Sequence, residues 1–149
     1  MLQIRSALPA DADEISGLIQ SLTNLFFASA DGAGAEAFMA QSQPAALAQF
    51  IARPDVTYFY ATMDDEFCGV VAMRGDSHLQ NLFVVSKFQG QGVGRQLWAF
   101  VRDNFDARPI TVNASLNAVN FYQHLGFQTV DVVQERGGLR FAPMLLSQK

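Results

Sequence analysis

The 149-residue sequence is poor in cysteine, histidine and charge, and each scarcity excludes a class of protein. Cys68 has no second cysteine with which to form a disulfide, and it makes no metal-ligand pattern with His78 or His124. A chain of this kind suits a reducing compartment. We therefore interpret Cys68 as a small buried hydrophobic residue and expect no metal site.

Long apolar runs and an excess of basic residues are also missing. No segment approaches the roughly 20 consecutive apolar residues of a membrane helix, and the first residues, MLQIRSALPADADEI, lack the basic and then apolar pattern of a signal peptide. We expect a soluble, cytoplasmic protein with no membrane partner. The formal net charge of -4 disfavours a nucleic-acid partner, because affinity for phosphate backbones depends on clustered Lys and Arg.

What the chain does have is enough apolar sequence for one sizeable core. Half of its residues are hydrophobic, and neither a repeat nor a linker divides it, so we expect a single domain over residues 1–149. Residue periodicity predicts elements in the order βααβββαβαββ. The predicted strands are residues 2–7, 56–63, 67–74, 78–85, 109–115, 127–134 and 139–146.

Four helices are predicted between these strands. Asp11 and Glu14 have the spacing of a capping box before a helix whose apolar face extends to Phe26. Residues 28–44, rich in Ala, Gly and Ser, are interpreted as a mobile connection to a short helix at 44–52. A third helix closes near Ala107 and a fourth ends at Gly126. The third helix joins strands 78–85 and 109–115 as a right-handed parallel crossover, which indicates an α/β sandwich around a mixed sheet.

A glycine-rich stretch, FQGQGVGRQLW over residues 88–98, precedes the third helix. Bare backbone at a helix N-terminus leaves N–H groups free to bind an anion, although such glycines also occur in helix caps that bind nothing. The dinucleotide fingerprint GxGxxG requires glycine where Arg95 stands, and the mononucleotide loop GxxxxGK[ST] requires lysine and a hydroxyl residue after Gly94. Both patterns fail, which disfavours a nucleotide-binding regulator.

The spacing Gln89-x-x-Gly92-x-Gly94 resembles the [QR]xxGx[GA] signature of the GNAT acyltransferase superfamily. Three segments are similar to that family in its own order: IRSALPADADEISGLI, LFVVSKFQGQGVGRQL and NAVNFYQHLGF. The resemblance implies an α/β (α+β) fold with a mixed, mostly antiparallel six- to seven-stranded sheet flanked by about four helices. It also implies an N-acetyltransferase that moves an acetyl group from acetyl-CoA to a primary amine by direct attack, without a metal.

The resemblance further implies which residues contact acetyl-CoA. Backbone N–H groups of the central strand would polarise the thioester carbonyl, and the glycine loop would hold the diphosphate. Asn117 and Asn120 would reach the cofactor, although Asn117 fits a helix cap equally well. The full set is Leu82, Phe83, Val84, Val85, Gln89, Gly90, Gln91, Gly92, Val93, Gly94, Arg95, Asn117 and Asn120.

Two residues are candidates for proton transfer. Tyr122 matches the family's tyrosine and would protonate the leaving thiolate, although a tyrosine on an apolar helix face commonly only packs. His78 begins the central strand and would act as the base. It lies four residues before Leu82, roughly 13 Å away at about 3.3 Å per residue, so it would need a water relay, and an ordinary strand-end histidine is an equal alternative. Gln80 and Asn81 are neutral alternatives for contact with the amine.

The acceptor is the least defined partner. In this family the segment over residues 20–60 would line the acceptor side, and here it is rich in aromatic residues and poor in charge, which favours a partly apolar amine. A small molecule and a peptide both fit, and a homodimer is left open. The alternative function is a non-catalytic acyl-CoA binding or sensing module of the same fold. Such a module would keep the loop and lose the acid, so the presence of Tyr122 favours an enzyme.

Overall fold

The computed structural model describes residues 1–105 and 109–147, and within these ranges the chain forms eight strands and five helices. The strands are β1 (Leu2–Ser6), β2 (Val56–Met63), β3 (Glu66–Arg74), β4 (His78–Val84), β5 (Ile110–Ala114), β6 (Gln128–Thr129), β7 (Gln134–Arg136) and β8 (Leu139–Leu146). The helices are α1 (Ala12–Leu22), α2 (Glu36–Gln41), α3 (Pro44–Ile51), α4 (Val93–Asn104) and α5 (Val119–His124).

The strands form a mixed sheet in the order β1-β2-β3-β4-β5-β8-β6, with β7 paired to β8 off this path. Only the pairing of β4 with β5 is parallel within the described residues. Because α4 connects these two strands, the predicted parallel crossover is present. The mixed, mostly antiparallel sheet is confirmed, with one strand more than the upper expectation and one further helix.

The predicted capping box at α1 is wrong. The Asp11 carboxylate accepts hydrogen bonds from Leu8 N at 2.8 Å and from the Arg5 guanidinium at 2.8 and 3.0 Å, so it is not free to cap α1. Glu14 instead accepts a hydrogen bond from Tyr60 Oη on β2. The helix also ends at Leu22, before Phe26, because the next three residues form a 3-10 turn.

The segment between α1 and α3 is more ordered than a connection rich in Ala, Gly and Ser suggests. It contains α2, and backbone hydrogen bonds hold its first part to the β7–β8 turn and the start of β8, from Ala28 N to Gly138 O at 2.8 Å and from Arg140 N to Phe26 O at 2.6 Å. These partners lie more than 100 residues away in sequence, which is why local composition did not predict the contact.

The C-terminal strands also differ from the prediction. The expected strand over 127–134 divides into β6, which pairs with β8 at only two positions, and β7, which pairs with the opposite end of β8. The turn at Gly137 and Gly138 joins β7 to β8. α4 ends at Asn104, and the predicted closure near Ala107 lies outside the described residues.

The core lies on both faces of the sheet. Alternation along β3 directs Val71 and Met73 to the face covered by α4 and α5, and directs Val70 and Ala72 to the face covered by α1 and α3. Cys68 belongs to the first cluster with no exposed surface, and burial raises the pKa of its thiol. It therefore packs as a small hydrophobic side chain, as predicted.

None of the helices in the described ranges has the length and apolarity needed to cross a membrane.

Candidate functional site

A bulge in β4 decides which of its side chains face each side of the sheet. Met73 of β3 lies opposite Leu79, whereas the preceding Ala72 lies opposite Asn81, so Gln80 is an extra residue on β4. Leu79 packs on the α4 and α5 face, and Asn81 reaches the opposite face, where its Nδ2 donates to Tyr58 Oη at 2.7 Å. Without the extra residue, Leu79 and Asn81 would share one face.

β4 and β5 separate close to the point where they begin. Their ladder contains only the pairs His78–Thr111 and Leu79–Val112, and beyond it the edge of β4 facing β5 has no ladder partner among the described strands. A cavity of about 520 Å³ occupies the gap. Residues 80–84 line it from β4, and residues 112–114 of β5 and Ser115 just after this strand line it from the other side.

The cavity reaches both faces of the sheet. On one face it is lined by the glycine loop, the first turn of α4 and residues of α5, and on the other by Leu22, Leu25 and Phe26 at the end of α1 and just after it. A ligand in the cavity therefore has access to two chemically different walls through the opening between β4 and β5. This arrangement suits a reaction between two molecules that approach from opposite sides.

Only part of the β4 backbone presents N–H groups to this gap. Val85 N donates to Cys68 O of β3 at 2.8 Å, and Val85 does not line the cavity. Because successive residues of a strand direct their N–H groups to opposite sides, the N–H of Phe83 also faces β3, whereas those of Leu82 and Val84 face the gap. Of the four strand residues that the sequence suggested as N–H donors to the ligand, only Leu82 and Val84 therefore present their N–H groups to the gap.

The glycine loop combines left-handed backbone with open space. Gly90 and Gly92 have φ values of 80° and 84°, and a Cβ at either would meet no atom of the described residues within 4 Å. Gly94 has a different role, because a Cβ there would lie 3.2 Å from the Phe121 ring. Gly92 is the N-cap of α4, and its carbonyl accepts from Gln96 N at 3.1 Å, so the earlier N–H groups of the first turn have no partner within the helix.

Some side chains of the glycine loop make hydrogen bonds within the protein, and others are open to a ligand. Gln89 Nε2 donates to Val84 O at 3.0 Å, which ties the loop to the end of β4, and Gln91 Nε2 donates to Lys87 O at 3.3 Å outside the cavity. Arg95 is exposed, lines the cavity and has no ion-pair partner in the described parts of the chain. A helix N-terminus and a free guanidinium together favour an anion. Val93 also lines this wall, and its side chain is buried.

Tyr122 of α5 lines the cavity although the residue as a whole is buried. Its ring packs edge-on against Phe121 and Phe127, with centroids 5.2 and 5.4 Å away. Its hydroxyl has no hydrogen-bond partner among the residues that the structure describes, and burial raises the pKa of Tyr122 above its ordinary value. The phenol therefore stays protonated at neutral pH and has a proton to donate.

The two asparagines occupy different positions. Asn117 lines the cavity and its side chain makes no cap hydrogen bond, so the capping alternative is wrong. Asn120 is exposed and outside the cavity lining, and its carbonyl oxygen lies 2.7 Å from His124 Nδ1. Asn113 and Ser115 of the β5 side line the cavity but were not predicted, because only the divergence of the strands exposes them to it.

His78 lies outside the cavity lining, at the start of β4, where the strand still pairs with β5. Its Nδ1 is 2.8 Å from Thr111 Oγ1. Burial and the positive charge of Arg74 lower the pKa of His78. This position favours the strand-end interpretation over the predicted role as a base.

Comparison with known proteins places this geometry in a class. The family model of the acetyltransferase (GNAT) domain matches residues 26–148. The chain belongs to the GNAT family of acetyltransferases. No match was found among curated proteins.

Solved structures show the same fold at low sequence identity. A GCN5-related N-acetyltransferase from Rhodopseudomonas palustris superposes with a TM-score of 0.79 at 22% identity, over 97% of this chain and 94% of that one. The PaiA N-acetyltransferase from Thermoplasma acidophilum, in complex with coenzyme A, has a TM-score of 0.71 at 14% identity, over 100% and 99%. A variant of the spermidine N-acetyltransferase SpeG from Vibrio cholerae has a TM-score of 0.69 at 17% identity, over 99% and 94%.

Proposed function

We propose that this protein is an N-acetyltransferase that transfers an acetyl group from acetyl-CoA to a primary amine by direct attack. The observation that carries the proposal is the cavity between β4 and β5, which brings together a glycine loop suited to an anion, two strand N–H groups that face the gap and a buried phenol. The coenzyme A complex of the PaiA structure supports the choice of donor.

The residues present fit acetyl-CoA as the acyl-donor cosubstrate. The first-turn N–H groups of α4 and the Arg95 guanidinium would hold the diphosphate, since both favour negative charge and neither is occupied by another described group. Positive φ values at Gly90 and Gly92 keep side chains out of this approach. Asn117, which lines the cavity without an internal hydrogen bond, would contact the donor farther along.

The chemistry then divides among three groups. Bound acetyl-CoA supplies a thioester whose carbonyl carbon forms a C–N bond with the amine while its C–S bond breaks. The N–H groups of Leu82 and Val84 stabilise the negative charge that develops on the carbonyl oxygen, because they are fixed in the strand before the reaction begins. Tyr122 gives its proton to the departing sulfur and regains one from solvent, to which the amine nitrogen releases its own.

Acetyl-CoA should stabilise the folded protein. At one hundred times its dissociation constant a ligand contributes about 2.7 kcal/mol, which raises the melting temperature of a chain of this size by roughly 5 to 10 °C. Differential scanning fluorimetry with and without millimolar acetyl-CoA measures this shift. An unchanged melting temperature for the unmodified protein would reject the donor assignment.

A matched pair of variants separates loop chemistry from backbone strain. Gly92→Val and Gly75→Val both place a branched side chain at positive φ, 84° and 63°, where no atom in the described part of the chain lies within 4 Å of the Cβ position. Each should cost about 1 to 2 kcal/mol of stability. Only Gly92→Val should also lose the shift produced by acetyl-CoA, because Gly75 lies in the β3–β4 turn outside the cavity.

A further inference from the structure

The acceptor half of the cavity, defined by Leu22, Leu25, Phe26, Asn81 and Phe83, consists of apolar and amide side chains. The rings of Phe26 and Phe83 meet edge-on with centroids 6.2 Å apart and form one wall. No Asp, Glu or His is among the described residues that line the cavity, and its single charged lining residue is Arg95 in the glycine loop. An amine that enters this half therefore meets neither a counter-ion nor a titratable base.

The missing base selects for weakly basic amines. At pH 7.4 an α-amino group with pKa near 7.8 is about one quarter neutral, whereas a lysine-type amine with pKa near 10.4 is only about 0.1% neutral. Only the neutral form is a nucleophile. The difference of more than one hundredfold in reactive concentration favours the α-amino group before any contact is made.

Because the acceptor half offers no counter-ion, it selects against amines that carry further charged groups. A polyamine would have to place further ammonium groups against Leu25 and Phe26, where their lost hydration is not replaced. A free amino acid faces the same cost for its carboxylate, because Arg95 belongs to the opposite wall. An apolar side chain, by contrast, gains free energy by contact with the two phenyl rings.

Gln80 provides a polar side chain beside the apolar residues of the acceptor half. Its Oε1 is buried and has no hydrogen-bond partner among the described residues, an arrangement that proteins rarely leave unsatisfied. The bulge places this residue where β4 and β5 part, and it lines the cavity. Because Oε1 itself has almost no accessible surface, the Gln80 side chain would turn toward the cavity to accept a hydrogen bond from the N–H of a neutral amine or an amide.

We infer that the acceptor is an α-amino group next to an apolar side chain and an uncharged carbonyl end, as in a hydrophobic amino-acid amide or a peptide that begins with such a residue. The inference rests on the proposed acetyl transfer and specifies its acceptor. It differs from the polyamine named for the spermidine N-acetyltransferase of the same fold.

The test compares four amines at pH 7.4 by the release of free thiol from acetyl-CoA: leucinamide, leucine, Nα-acetyl-lysinamide and spermidine. Leucinamide should have a kcat/KM at least tenfold above each of the other three. An equal or higher value for any of them would overturn the inference while leaving acetyl transfer intact. Leu-Gly-Gly as a fifth amine distinguishes the two sources, since a value above that of leucinamide indicates a peptide and a lower value indicates a small amide.

Asn81→Asp supplies the carboxylate that the acceptor half lacks. The change keeps the size of the side chain, and Tyr58 Oη can donate to the new carboxylate where it now accepts from Asn81 Nδ2. The ratio of kcat/KM for spermidine to that for leucinamide should rise roughly tenfold or more, in the range of charge-assisted hydrogen bonds. Gln49→Glu, which adds the same charge at an exposed position of α3, should leave the ratio unchanged.

An unchanged ratio in Asn81→Asp would overturn the assignment of the acceptor half. If acetyl-CoA raises the melting temperature but no amine releases thiol, acetyl transfer itself is wrong and the acceptor class falls with it. If acetyl-CoA produces no shift, the donor assignment is wrong as well. The three failures are therefore distinguishable.

Discussion

Tyr122 takes part both in the packing of the core and in the proposed reaction. Its ring belongs to the core cluster under α4 and α5, while the residue also lines the cavity that receives the leaving group in the proposed reaction. Burial raises the pKa of this phenol, so it keeps its proton at neutral pH and would serve in the proposed reaction as a proton or hydrogen-bond donor and not as a base. Packing and proton donation are compatible roles for this side chain.

The variant Tyr122→Phe separates the packing role of this side chain from its proposed role as a proton donor. The phenyl ring keeps the contacts with Phe121 and Phe127, so the melting temperature and its shift with acetyl-CoA should stay close to those of the unmodified protein. Turnover should fall by about tenfold to a thousandfold, the range that general acid catalysis supplies. Steady-state kinetics with one identified amine measure this loss. Unaltered kcat would assign Tyr122 to packing alone.

At the scale of elements, the β7–β8 turn positions the apolar wall of the acceptor half. Backbone hydrogen bonds join Phe26 and Ala28 to this turn, and Gly138 lies directly against the backbone of Gly34 and Ala35. No side chain fits between these two chain segments. The position of Phe26 therefore depends on a glycine more than 100 residues away in sequence.

Gly138→Ala should disturb that wall. Its Cβ would overlap the backbone of Gly34 and Ala35, so one segment must shift, and the protein should lose stability and show a higher KM for the amine with little change in acetyl-CoA affinity. Gly137→Ala is the matched control, because Gly137 has a similar positive φ of 56° and, within residues 1–105 and 109–147, no atom lies within 4 Å of its Cβ position. It should cost only about 1 to 2 kcal/mol of backbone strain. Equal KM values in the two variants would contradict the positioning role.

Sequence patterns located most elements because their periodicity is local. Alternation predicted β2, β3 and β4 within a residue or so, and apolar spacing predicted α4 and α5. The glycine loop was also found, because positive φ at Gly90 and Gly92 restricts those positions to glycine or a few tolerant residues. These features depend on neighbours in the chain.

The shape of the cavity could not be predicted in the same way. The bulge at Gln80 and the early divergence of β4 from β5 are properties of strand pairing, which no single strand encodes. The wall formed by Leu22, Leu25 and Phe26 depends on a turn at the other end of the chain. For these reasons Asn113 and Ser115 were missed, and the sequence did not reveal that His78 lies outside the cavity lining.

For the whole molecule, His78 predicts a loss of stability in acid. Burial first, and then Arg74, lower its pKa below 6.5 in the folded chain, so the unfolded chain binds the proton more tightly. The free energy of unfolding therefore falls as the pH drops through the unfolded pKa and levels off below the folded one. The melting temperature of His78→Gln should vary less between about pH 7.5 and about pH 5. His124→Gln is the control for the loss of a histidine.

The same variant tests the predicted base. Because His78 is bonded to Thr111 outside the cavity, the profile of kcat/KM against pH for His78→Gln should superimpose on that of the unmodified protein after correction for the folded fraction. A rise through an apparent pKa that disappears in the variant would instead identify His78 as the base acting through water.

The ladder between β4 and β5 contains only two residue pairs, so the sheet is less rigid along this line than where longer ladders join its strands. Longer antiparallel ladders join β1 to β4 on one side and β5 to β8 on the other, so few main-chain bonds hold the sheet together along the line between β4 and β5. Small rotations of one half against the other then open or narrow the cleft at little cost in hydrogen bonds. A molecule bound in the cleft between β4 and β5 would contact both halves of the sheet. Substrate binding would therefore make the whole protein more rigid by linking these two halves.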